Sequence, residues 1–169
     1  MWNRFGWVKW AVYAVLCILI SAVAYFPSFP RVGGVAPLLA VPCVVGIAMY
    51  EGENAGAAYG IFFGLLWDMQ SGRAFGFNAL LLMIAGIVIG LLVQYLFSNS
   101  LFAAVLFTLV TLLLIELITW FFFCYMTGAG QFTFYFLRVI LPTAGYTLPF
   151  ILPVYYAQRW LSRRLAPQE

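Results

Sequence analysis

Residues 52–80 read Gly52-Glu-Asn-Ala-Gly56-Ala-Ala-Tyr-Gly60-Ile-Phe-Phe-Gly64-Leu-Leu-Trp-Asp68-Met-Gln-Ser-Gly72-Arg-Ala-Phe-Gly76-Phe-Asn-Ala-Leu80. Glycine recurs every fourth residue, Asp68 takes one place in the register, and Gly72 and Gly76 continue it. In a water-exposed helix each interior glycine costs roughly 1 kcal/mol against alanine. In a bilayer the same spacing lets two helix backbones approach closely. An ionisable residue in such a segment is expensive and marks a place to look for function. The stretch therefore reads as a membrane helix built for packing that ends on an acid.

Composition agrees. The chain has 169 residues, 66% hydrophobic and 8% charged, where a soluble domain carries about 25% charge. It reads as an all-α integral membrane protein, residues 1–169 forming one transmembrane domain. The loops are too short for a separate domain, which needs at least about 50 residues. Arg4 and Lys9 precede an apolar run from Val12 to Ala24. That run continues as a full span with aromatic ends, so it is read as a helix and not as a cleaved signal. Cys17, Cys43 and Cys124 form no CxxC pair and read as small buried hydrophobes. Histidine, the commonest metal ligand and general base, is absent. No phosphate-binding loop, H-E-x-x-H motif or nucleophile with a base is present. Neither catalysis, a cofactor, a metal nor a nucleic acid is expected.

Six spans follow, at about 8–26, 35–50, 54–70, 77–97, 101–126 and 137–160. The second is short for a core that takes about 20 residues. Pro37 lies near its start, and Pro42 is expected to kink it. Lys and Arg set orientation. With both termini cytoplasmic, Arg4, Lys9, Arg159, Arg163 and Arg164 lie inside, and Arg31, Arg73 and Arg138 outside. The Glu51-Gly52-Glu53 turn is then cytoplasmic. The C-terminal arginines serve as a topology anchor or meet anionic lipid headgroups.

Polar and small residues cluster on three further faces. Gly86 and Gly90 repeat the glycine spacing on the fourth span, followed by Gln94. On the fifth, Thr108, Thr111, Glu116 and Thr119 fall within roughly a 140° sector. Glu116 sits well inside its span and needs a proton, a hydrogen bond or a base, with Arg138 one candidate. The sixth gathers Arg138, Pro142, Gly145, Pro149 and Pro153 within about 80°, as a bent helix or a broken one lining a transport site. The Gly52/56/60/64 line serves packing among the chain's own helices or docking of a partner's helix. Asp68 caps the following turn, pairs with Arg73, or meets a partner.

The segment from Gly56 through Asp68 and Gly72 to Gly76 resembles the MreD family, the rod shape-determining membrane proteins of bacteria. That family has a helix of spaced small residues ending in G-x-x-x-D, a short Ser/Gly turn, and a Gly opening the next apolar helix. Pro37, Glu116 and the basic C-terminal tail extend the likeness over essentially the whole chain. The resemblance implies a non-enzymatic part of the cell-elongation machinery in the cytoplasmic membrane. Its partners would be MreC, the actin-like MreB, and the RodA-type glycosyltransferase with its class B penicillin-binding transpeptidase. It also implies a fold similar to substrate-binding subunits of ECF-type vitamin transporters, which makes such a vitamin-binding subunit the alternative. Against that, the first helix lacks an Ala-x-x-x-Ala pair. On this reading the third helix and its turns, Gly52 to Gly76 with Asp68 and Arg73, form the partner surface. Gly60→Leu is then expected to block co-purification with MreC while the protein stays inserted. Asp68→Ala is expected to abolish rod shape at normal abundance.

Overall fold

The computed structural model describes residues 11–15, 18–19, 38–71, 75–96, 99–122 and 135–165, with side chains to Arg163. Helices α1 (Ala40–Glu51), α2 (Glu53–Ser71), α3 (Phe77–Tyr95), α4 (Leu101–Trp120) and α5 (Leu141–Leu165) follow in order. A π-helical turn, Phe136–Ile140, leads into α5. Residues 11–15 are also helical. Most of the first expected span lies outside the described residues. Among the described residues there is no strand.

The 12-residue α1 stands at the centre of the described helices. Every residue of α1 from Ala40 to Met49 is buried, and α1 touches α2, α3, α4 and α5. A helix apolar all round has to be kept from water, by protein or by lipid, and here the neighbouring helices do it. Its 12 residues reach about 18 Å, short of the roughly 30 Å hydrocarbon core. Pro42 does not kink it in mid-course as expected. It falls in the first turn of α1, where a missing N–H leaves no intrahelical bond unmade.

Three described helices are long and apolar enough to cross a membrane: Phe77–Tyr95, Leu101–Trp120 and Phe136–Arg163. Their outward faces are apolar, with Leu80, Ile84 and Val88 exposed on α3 and Leu106, Val110, Leu113 and Leu117 on α4. Contiguous apolar surface of this extent suits lipid and not water. The Ser100 side chain caps α4 by accepting from the Ala103 N–H at 3.2 Å, as a serine at this position should. The π turn has a local cause. Pro142 has no N–H to return to the Arg138 carbonyl, and the backbone shifts to bonds five residues apart, with Leu141 N–H donating to Phe136 O.

Candidate functional site

The glycine register joins α2 to α3. A methyl group added at Gly56 would lie 2.7 Å from the Gly86 carbonyl oxygen, and one at Gly60 would lie 2.5 Å from that of Leu82. One at Gly64 would overlap the Ala79 backbone, and one at Gly90 would lie 2.5 Å from Glu53 Cα. The two backbones are in contact along the hairpin, where dispersion and Cα–H···O contacts replace side-chain interdigitation. The face expected to meet a partner is therefore occupied by the chain's own next helix.

Gly52 departs from the packing set in which the sequence placed it. It lies between α1 and α2 at φ +87°, with nothing within 4 Å of an added Cβ. Its N–H donates to Ala48 O at 3.1 Å, closing α1. Gly76 has φ +91° at the N-cap of α3. Both are turn glycines, in backbone conformations that L-residues rarely adopt. Gly72 and Arg73 lie outside the described residues.

Asp68 is 2% exposed. One of its oxygens, Oδ2, accepts from Gly76 N–H at 2.8 Å and Ala79 N–H at 3.3 Å. The other accepts from Asn78 N–H at 3.2 Å and from Asn78 Nδ2 at 2.8 Å. The last turn of α2 thus supplies the N-terminal cap of α3 from a carboxylate eight to eleven residues earlier in the chain. The exposed N–H groups and the positive end of the α3 dipole favour a carboxylate there. Asp68 is a buried cap that ties the end of α2 to the start of α3.

A second polar group ties α5 to the centre. Gln158, fully buried, donates to the Cys43 carbonyl at 2.9 Å. Leu38 N–H donates to Thr147 Oγ1 at 3.2 Å. Tyr13 OH donates to Glu51 at 3.1 Å. Gly46 makes room for the Gln158 carboxamide, which an added Cβ would overlap. Gly46→Ala is expected to destabilise by about 1–2 kcal/mol, and most of that loss should vanish in a Gln158→Ala background. Thermal unfolding of both single variants and the double variant in detergent measures the coupling. Additive shifts would refute it.

The threonine–glutamate sector of α4 faces inward: Thr108, Thr111, Glu116 and Thr119 are all buried. Glu116 accepts from Tyr135 OH at 3.1 Å, a partner the sequence reading missed. Arg138 stands exposed in the π turn. Gln94, expected within the bilayer, is exposed one residue from the end of α3. There it lines a cleft of about 430 Å³ with Glu51, Glu53, Asn54 and Asn99. The reason is that α3 stops at Tyr95, so Gln94 is terminal.

Sequence reasoning missed Asn78 and Gln158 as well. Each is an amide in an apolar span, and that was the available signal. Among the described residues no group of three or more His, Cys, Asp or Glu could hold a metal ion.

The profile of the rod shape-determining protein MreD family matches residues 2–159 of the chain. No curated protein and no solved structure matches it. The likeness to vitamin-transporter subunits rests on the sequence resemblance alone.

Proposed function

The chain belongs to the MreD family of rod shape-determining membrane proteins, and from that premise we propose that it is a non-enzymatic scaffold of the bacterial cell-elongation machinery. The match across residues 2–159 carries this reading. In it the chain is one six-span domain of the cytoplasmic membrane with both termini inside. It holds MreC by helix–helix contact, and through MreC it joins MreB and the glycosyltransferase–transpeptidase pair that builds lateral wall peptidoglycan. The internal architecture supports a scaffold. Its polar side chains tie helices to one another: Asp68 to α3, Gln158 to α1, Glu116 to Tyr135. A rigid body with apolar outer faces suits contact with other membrane helices.

The test is genetic and biochemical together. Cells depleted of the protein should round up, and re-expression should restore rods. A tagged copy should bring down MreC from solubilised membranes. Rods that persist after depletion would overturn the assignment. A vitamin retained through purification and identified by mass spectrometry would do so too.

A further inference from the structure

We propose that Arg159 and Arg163, where the end of α5 lies beside the end of α1, bind the phosphate of an acidic phospholipid headgroup. The proposal goes beyond the scaffold reading and stands only on the chain being a membrane protein. The two arginines lie four residues apart in α5, so their side chains are neighbours on one face. The charges of both act on the hydroxyl of Tyr50, in the last turn of α1. The Tyr50 ring packs in turn on Tyr155 of α5, with centroids 5.9 Å apart. Both guanidiniums therefore gather where the two helix ends meet.

Their charge is not answered within the fold. Arg159 is half-buried and Arg163 exposed. Among the described residues neither forms an ion pair. Glu51, the acid next to Tyr50, accepts from Tyr13 OH. The carbonyl end of α5 carries only about half an elementary charge. A half-buried cation without a counter-ion is costly, and the guanidinium fork matches phosphate oxygens.

Depth singles out a lipid as the source of that phosphate. The apolar span Phe136–Arg163 ends on this pair, where hydrocarbon gives way to headgroups. Leu152, Tyr156, Arg159 and Arg163 fall on one stripe of the helix. Leu152 and Tyr156 are exposed on it, and Trp160 is exposed beside Arg159. Aromatic rings sit at headgroup level in this way. A lipid places its phosphate on the arginines and its acyl chains on Tyr156 and Leu152, which a soluble anion or an acidic peptide cannot do. The orientation proposed above puts this end at the inner leaflet, where basic pockets between helices take acidic headgroups.

The experiment is native mass spectrometry of the full-length protein, released from detergent containing equal amounts of phosphatidylglycerol and phosphatidylcholine. The expected result is preferential retention of phosphatidylglycerol. Replacing both residues, Arg159→Gln with Arg163→Gln, should lower that preference about thirtyfold, the equivalent of two charges at headgroup level. Arg163→Gln alone should lower it about fivefold. That position is exposed, so its unfolding temperature should not change, and the test survives if the double variant fails to fold. Arg138→Gln, in the π turn at the other end of α5, should leave the preference intact. Equal retention of the two lipids would overturn the proposal. So would a preference that survives Arg163→Gln undiminished, or one that falls equally in Arg138→Gln, since charge attraction without a site would explain it. Displacement of the lipid by millimolar inorganic phosphate would assign the arginines to a soluble anion and overturn it too.

Discussion

Gly60→Leu is expected to remove the folded protein, and any loss of partner binding would follow from that. The first carbon of the new side chain would lie 2.5 Å from Leu82 O, 2.7 Å from Leu82 C and 2.8 Å from Met83 N. These are backbone atoms of α3, held by that helix's own hydrogen bonds, and they cannot rotate aside as a side chain would. The two helices must part along the hairpin, which also loosens Gly56 from Gly86 and Gly64 from Ala79. Overpacking typically costs about 1–3 kcal/mol and more when backbone must move. Net stabilities are only about 5–15 kcal/mol. Gly60→Ala should be intermediate, because even a methyl group is too close. Thermal unfolding and size-exclusion profiles in detergent, with abundance in the membrane, read this directly. A Gly60→Leu variant that unfolds at the wild-type temperature would show that α2 and α3 are not packed this way. The glycine face would then be open to a partner.

Asp68→Ala is expected to lower abundance and stability together, so that cells lose rod shape for want of protein. That reverses the expectation drawn from the family resemblance. The change leaves four N–H donors without their acceptor, three on the backbone at Gly76, Asn78 and Ala79 and one on the Asn78 side chain. Each buried donor left unpaired costs about 1–3 kcal/mol, and the losses are not additive. A total of about 3 kcal/mol or more is the reasonable expectation. Asp68→Asn keeps one acceptor oxygen and turns an NH2 group toward N–H donors, so it should fall between. Quantitative immunoblotting beside cell-shape scoring separates the cases. Rounded cells with full abundance and a wild-type unfolding temperature would restore Asp68 as a contact for a partner.

Both predictions turn on a distinction that residue spacing could not make. A glycine every fourth residue states that a helix approaches another backbone closely. It does not state whose backbone. The partner proved to be α3, which brings Gly86 and Gly90 to the same seam. Gly52 keeps the spacing yet sits at φ +87° between two helices, because a four-residue register continues across a tight turn without being helical. The same limit applies to the acids. Asp68 and Glu116 were legible as costly residues needing partners. Those partners, Gly76, Asn78, Ala79 and Tyr135, are set by how helix ends meet.

The sequence by itself determined the solvent and the class. Its scarcity of charge, long apolar runs and glycine spacing describe an all-helical membrane protein, and the G-x-x-x-D turn pointed to its family. These are local or compositional properties, readable wherever the chain folds, because lipid forces backbone hydrogen bonds inward. Tertiary structure alone decided that the 12-residue α1 is the buried centre of the described helices, that the glycine register is consumed within the hairpin, and that Asp68 caps α3. Each of these depends on which helices lie side by side. Contacts between residues distant in the chain fix that, and periodicity along one helix carries no record of them.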